Sequence, residues 1–265
     1  MRGLAIDLDG TLLGPDGEIS PRNRDAVAAA RDAGLHVILA TARWFQLAER
    51  TASSLGLTDP VIACSGAEVR RLDDGVDLMD VRLPTGFTDA VYSLCDETGA
   101  ITWVAEEERV LMRMAGDRPP RLGDEVEMVP DLAGVASSTP RMVMIYGPET
   151  NARIVDELQP AWREQVRFPM SVIGNHGATV LTLTGTGADK GVALTLACGE
   201  VGIDAADVVA FGDSETDVEM FRVAGMSVAM GQADEAVKEA ATRVTSSYAE
   251  DGVALVIEDL LREGA

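Results

Sequence analysis

LHVILAT, residues 35–41, is a nearly unbroken apolar run of strand length. A strand with one wet face alternates apolar and polar side chains. A continuous run instead fits a strand covered on both faces, as in a parallel sheet between layers of helices. Residues 2–8, PVIACSG (60–66), DVVAFGD (207–213) and MSVAM (226–230) repeat the theme. Helix patterns separate them at 21–34, 44–55, 190–201, 215–224 and 233–241. The first has Ser20 as its cap, Pro21 at its first position and Gly34 at its end. Strands and helices in alternation define an α/β layer with parallel strands.

The rhythm breaks in the middle of the chain. Residues 85–98 read as a helix and 100–106 and 109–115 as strands, followed by a Pro/Gly/Asp-rich loop over 116–134. Strand 141–146, helix 149–165 and strands 166–173 and 178–184 complete the segment. Adjacent strands joined by short turns pair antiparallel. The expected organisation is an α/β domain made of residues 1–83 and 185–265, with an α+β domain, 84–184, inserted between its halves. A chain of 265 residues has room for both cores.

Charge narrows the choice of partners. A formal net charge of −22 excludes the basic face that nucleic acid or an anionic membrane requires. No apolar stretch approaches the roughly 18 residues of a membrane span, and the N-terminal MRGLAIDLDG carries acids where a signal peptide is apolar. A cytoplasmic protein is expected, as monomer or homodimer. Cys64, Cys95 and Cys198 lack metal or redox spacing and read as buried thiols; His36 and His176 are too few for a histidine metal site.

In open parallel sheets ligands bind beyond the carboxyl ends of the strands. Four polar clusters fall at that edge: Asp7 with Asp9, Thr41, Lys190, and GDSETD (212–217). Together they bring four carboxylates, Asp7, Asp9, Asp213 and Asp217, into one small volume. Like charges about 4 Å apart repel by roughly 4 kcal/mol at an effective dielectric of 20, so such a cluster needs protons or a cation. Few hard oxygen ligands, with room for water and substrate, describe a magnesium site that shares its shell with a phosphate.

DLDGTL, a Thr closing an apolar strand, a lone Lys opening a helix and GDxxxD, in that order, resemble the haloacid-dehalogenase (HAD) superfamily. The insertion between the second and third of these motifs is similar to the large-cap branch that contains the Cof-type sugar phosphatases. The resemblance implies a parallel Rossmann-like three-layer core with an inserted α+β cap. It also implies a magnesium-dependent phosphomonoester hydrolase acting on a small phosphorylated metabolite. Asp7 would be the nucleophile and become an aspartyl phosphate, and Asp9 the general acid and base. Mg2+ would be held by Asp7, the Asp9 backbone carbonyl and Asp213, with Asp217 aiding directly or through water. Thr41 and the amides around Leu8 and Ala42 would hold the phosphoryl oxygens, and Lys190 would neutralise the charge on nucleophile and phosphoryl group. Lys190 is one of only two lysines beside 20 arginines. A compact ammonium fits between carboxylate and phosphate where a planar fork does not.

Two positions depart from the family pattern: Thr216 stands where GDxxND has Asn, and Ser65 in CSGA where this branch usually has Asn. Both keep a hydrogen-bonding group but with shorter reach, which bears on substrate and efficiency. Arg43 is a candidate contact for phosphate or substrate, with a surface ion pair as its other reading. Lys238 reads as solvated surface, His176 as a turn residue, and Trp103 with Met112 and Met114 as core of the inserted domain. The loop 116–134 is either a lid or a long connection. The resemblance leaves open a specialised sucrose-phosphate or mannosyl-phosphoglycerate phosphatase, a phosphomutase, or a weakly active phosphate-binding regulator.

Overall fold

The apolar runs become a five-stranded, wholly parallel sheet in the computed structural model, which describes residues 1–114, 123–173 and 178–264. Its spatial order is Arg243–Val244, Met226–Ala229, Val208–Gly212, Gly3–Ile6 and His36–Leu39. Gly3–Ile6 runs down the middle, with Leu4 opposite Val209 on one side and Val37 on the other. Ala5, Ile38, Ala210 and Ala229 pack in one buried cluster with Ala193, Leu194 and Ala197 of helix Lys190–Glu200 and with Met220 and Phe221. The alternate residues Leu4, Ile6, Val37, Leu39 and Phe211, also buried, line the opposite face. Helix Pro21–Asp32 lies beside helix Gly252–Arg262, and buried Asn23 joins them: its amide oxygen accepts from the Ala254 N–H, and its nitrogen donates to the Leu12 carbonyl. Ser20 caps the first of these helices by accepting from the Asn23 N–H, with Pro21 at its start.

The third apolar run departs from the expected strand 60–66. It is extended only over Val61–Ala63, is bridged to the parallel sheet at Ala40–Ile62, and pairs antiparallel with Glu68–Arg70, which adjoins Asp77–Asp80. The strand ends because Cys64, Ser65 and Gly66 all have positive φ (50°, 56° and 87°), which turns the backbone left-handed. The expected helix 215–224 also shortens. Its first turn, Glu215–Asp217, is a 3-10 turn, and only Val218–Phe221 is α-helical. Asp217 folds back onto the N–H groups of Asp213 and Ser214 and tightens the entry.

The chain divides into two compact units, Met1–Met79 with Asp189–Ala265, and Asp80–Ala188. The second unit is a mostly antiparallel sheet in the order Val166–Arg167, Ala178–Gly185, Met142–Tyr146, Ile101–Ala105, Val110–Arg113, Val126–Val129, with Met170–Ile173 also on Ala178–Gly185. One face packs Val104, Leu111, Val143 and Leu181 against Phe87 and Val91 of helix Phe87–Thr98. By register, Met128, Met112, Trp103, Met144 and Thr182 form a row on the alternate positions. Val126–Val129 arises inside the segment read as a loop; it pairs parallel with Val110–Arg113, a partner no local pattern announces. The expected helix 149–165 breaks into Pro148–Glu157 and Gln159–Trp162, because Pro160 cannot donate into the preceding turn. Strand 166–173 is likewise interrupted at Phe168–Pro169. His176 and residues 116–122 of the expected loop lie outside the described residues. Among the described residues no helix is long and apolar enough to cross a membrane.

Candidate active site

At the carboxyl end of Gly3–Ile6 the chain turns sharply. The Asp7 N–H donates to the Phe211 carbonyl, and the Asp7 carbonyl accepts from the Leu12 N–H, so the DLDGT loop is tied to the next strand and to itself. Gly10 makes this possible twice over. Its φ is +80°, and a Cβ there would lie 2.2 Å from Asp213 Oδ2. Leu8, wholly buried, anchors the loop from beneath.

Asp7 is 5% exposed, and its Oδ1 accepts from Lys190 Nζ at 2.7 Å. The same ammonium donates to Asp217 Oδ1 at 2.6 Å, and Lys190 is 1% exposed. Lys190 is aimed from the first turn of its helix, where the Asp189 carboxylate accepts from the N–H groups of Gly191 and Val192 and Glu219 accepts from the Lys190 N–H. The other oxygen of Asp217 accepts from the Asp213 and Ser214 amides and the Ser214 hydroxyl. Both oxygens of Asp217 are therefore occupied by the protein itself.

Asp7, Asp213 and Asp217 each offer a carboxylate oxygen, and these atoms lie within 4.8 Å of one another. Three carboxylates face one ammonium, which leaves two negative charges uncompensated. The acidities register this deficit. Burial, then Asp217, pushes the Asp7 carboxyl well above its ordinary value, and Lys190 offsets only part. Burial and Asp217 push Asp213 up to about 7. Burial alone would lower the Lys190 ammonium, but Asp217 and Asp7 outweigh it and raise it. A divalent cation fits such a donor set in charge and in ligand type.

Asp9 stands apart from this cluster. The expected group of four carboxylates is a group of three, because the Asp9 side chain turns outward, 58% exposed, onto Arg43. The guanidinium grips it with Nε at 2.7 Å and Nη2 at 2.6 Å. Such a bidentate pair is the strong form of ion pair. Arg43 thus has an acidic partner in its own unit.

Thr41 is fully buried at the end of His36–Leu39, and its hydroxyl accepts from the Arg43 N–H at 3.1 Å. The Thr41–Ala42–Arg43 turn is held from the neighbouring left-handed turn: the Ser65 N–H donates to the Thr41 carbonyl and the Cys64 N–H to the Arg43 carbonyl. A Cβ on Gly66 would meet the Asp189 carbonyl carbon at 2.6 Å and the Lys190 nitrogen at 2.8 Å, so this turn also abuts the residue pair that launches Lys190. Thr216 exchanges a hydrogen bond with Ser214 (3.0 Å) beside Asp217. Lys238 pairs with exposed Glu235. Sequence reasoning missed Glu219, Ser214, Thr11, whose hydroxyl donates to Asp213 Oδ1 at 3.3 Å, and Gln232, whose amide reaches the Gly10 carbonyl. The one available signal for Gln232 was its position just after MSVAM, at the same carboxyl edge.

Residues 4–257 match the family of haloacid dehalogenase-like hydrolases. The chain is 28% identical to the 5-amino-6-(5-phospho-D-ribitylamino)uracil phosphatase YcsE of Bacillus subtilis, over 96% of this chain and 93% of that protein. It is 26% identical to the pyridoxal phosphate phosphatase YbhA of Escherichia coli, over 97% of each. A haloacid dehalogenase-like hydrolase from Bacteroides thetaiotaomicron shares its fold with a TM-score of 0.80 at 24% identity, over 98% of this chain and 99% of that one. The chain belongs to the haloacid dehalogenase-like hydrolases. Its class within them is that of a phosphatase, a hydrolase of phosphoric monoester bonds.

Proposed function

We propose that the protein is a magnesium-dependent phosphatase of small phosphorylated metabolites, sugar phosphates foremost, acting in the cytoplasm through an aspartyl phosphate on Asp7. The observation that carries this reading is the buried Asp7–Lys190–Asp217 chain beside Asp213, two positive charges short of neutrality. Asp7, Asp213 and the Asp9 backbone carbonyl would hold Mg2+, which supplies charge neutralisation at the phosphoryl oxygens. Asp217, with both oxygens engaged, is better suited to orienting Lys190 and the 213–214 amides than to direct ligation.

The residues divide the chemistry as follows. An Asp7 carboxylate oxygen attacks phosphorus, the ester P–O bond breaks, and the departing oxygen takes a proton from Asp9. Asp9 then takes a proton from a water whose oxygen attacks the same phosphorus; the bond to Asp7 breaks, releasing phosphate and restoring both carboxyl groups. Lys190 keeps Asp7 aligned and balances charge during both displacements. To reach the ester oxygen, Asp9 must leave Arg43. An incoming phosphate is a natural exchange partner for the guanidinium.

The experiment is hydrolysis of p-nitrophenyl phosphate with and without Mg2+, beside Asp7→Asn. Magnesium-dependent turnover that vanishes in the variant supports the reading. Folded, magnesium-loaded protein that turns over neither this ester nor a panel of sugar phosphates overturns it in favour of a phosphate-binding regulator.

A further inference from the structure

Gln232 follows strand Met226–Ala229 on a short segment pinned at both ends. The Met230 N–H donates to the Gly212 carbonyl, the Gly231 N–H to the Ser246 carbonyl and the Ala233 N–H to the Met230 carbonyl. Gly231 is so closely packed that a Cβ would lie 2.9 Å from the Thr245 carbonyl oxygen. The backbone beneath this exposed side chain is therefore fixed, and the side chain projects from a rigid mount.

A carboxamide has two N–H donors and an accepting oxygen, and Gln232 uses both kinds of group. Its nitrogen donates to the Gly10 carbonyl at 2.6 Å, and its oxygen accepts from the Tyr248 N–H at 3.1 Å. Gly10 and Asp213 are already in contact, since nothing larger than a hydrogen fits between the Gly10 Cα and Asp213 Oδ2. Gln232 ties the Gly10 side of that contact to the Tyr248 turn, so the nucleophile loop is held where it abuts Asp213. An ionised carboxylate could not donate to that carbonyl while accepting from the Tyr248 amide.

We infer that Gln232 is a positioning residue for divalent-cation binding: it holds the Asp7–Gly10 loop at a set distance from the Asp213 carboxylate, so that both present their oxygens to one ion. This rests on the metal reading above. Gln232 touches neither Lys190 nor Thr41 among its hydrogen bonds, so its removal should weaken the ion's hold without altering substrate binding at saturating metal.

The test is Mg2+ titration of the full-length protein by isothermal calorimetry, with no substrate present, on wild type, Gln232→Leu, Gln232→Glu and Asp213→Asn. Partners that orient metal ligands from outside the ligand shell typically contribute 10–100-fold in affinity, so Gln232→Leu should bind Mg2+ roughly tenfold more weakly. Its metal-free melting temperature and its KM at saturating Mg2+ should match wild type. Gln232→Glu keeps the size but loses the donors, and it too should weaken binding. Tighter binding by Gln232→Glu would mean that charge alone matters at this position, and would overturn the inference. Wild-type affinity in Gln232→Leu, with Asp213→Asn impaired, overturns the positioning role and leaves the metal site standing. A wild type that binds no Mg2+ overturns both.

Discussion

Each unit of this protein buries a charged network, and the two are built on opposite principles. In the Asp80–Ala188 unit, Arg141 is fully buried, yet every group around it is answered. Its Nε donates to Asp80 at 2.8 Å and its Nη1 to the carbonyls of Glu106 and Glu107 at 3.1 Å. Arg82 shares Asp80 and reaches Glu107. Burial raises the Asp80 carboxyl, but the two arginines outweigh it and hold it below its ordinary value. In the other unit one lysine serves three carboxylates, and Asp7 and Asp213 are driven upward instead. A balanced buried network is architecture; an unbalanced one is kept because something else completes it.

The hardest way to press that contrast is to remove the nucleophile. Asp7→Asn is nearly isosteric and relieves the repulsion with Asp217 and Asp213, so the fold should be retained or gain stability. Turnover should fall by about 10⁴-fold or more, the scale seen when a nucleophile acting in concert with its neighbours is lost. Retained turnover would show that the deficit of positive charge around Asp7 has nothing to do with catalysis.

The converse substitution is Arg141→Leu. It strips a balanced network of its centre and takes one donor each from Asp80 and from the carbonyls of Glu106 and Glu107. Breaking a buried pair costs 3–5 kcal/mol, and because Arg82 still holds Asp80 the expected loss is about 3 kcal/mol. Hydrogen exchange should show protection falling across 80–188, while the affinity for Mg2+ stays unchanged. An equal loss of protection in the strands Gly3–Ile6 and Val208–Gly212 would contradict the picture of two separately organised networks.

A third test uses pH. Asp213 sits at about 7 in the folded chain against an ordinary 3.8. Between those values the folded protein binds the proton more tightly than the unfolded chain does. This group's contribution to metal-free stability is therefore present below about pH 4 and lost as pH rises through 7. On the proposed reading Mg2+ would compete for the same oxygens, so its stabilisation should be small near pH 5.5 and full near pH 8. At a hundred times its dissociation constant the ion would add about 2.7 kcal/mol. Melting curves with and without Mg2+ at the two pH values decide it; an equal shift at both would mean that Asp213 does not gate the ion.

What could be read from the sequence follows the same division between local and distant causes. Apolar runs announced the parallel strands, and Ser20, Pro21 and Gly34 framed a helix, because those signals lie within a few residues of what they control. The meeting of Asp7, Lys190, Asp213 and Asp217 was legible through topology, since parallel strands deliver their carboxyl ends to one edge. Contacts chosen among distant side chains were not. Val126–Val129 becomes a strand through its partner, Asp9 turns to an arginine 34 residues away, and Gln232 reaches a carbonyl 222 residues away. The break at Pro160 was visible in the sequence but was overridden by the helical pattern around it.

The smallest expected effect concerns backbone strain, which is as unevenly shared as charge. Among the described residues the non-glycine positions with positive φ are Cys64, Ser65 and Asp251, all in the unit that carries the acids. Left-handed backbone costs an ordinary L-residue roughly 1–2 kcal/mol, and Asn less, because its short amide can hydrogen-bond locally. Ser65 is 6% exposed, and its N–H holds the Thr41 carbonyl. Ser65→Asn should therefore stabilise the protein by about 0.5 kcal/mol, a fraction of that left-handed cost, and slow exchange of the Ser65 amide, leaving protection in 80–188 unchanged. If the melting temperature falls instead, the hydroxyl fits its buried setting better than the amide relieves the backbone. The strain would then belong with the uncompensated charge, as a cost this unit carries for the geometry around Thr41 and Lys190.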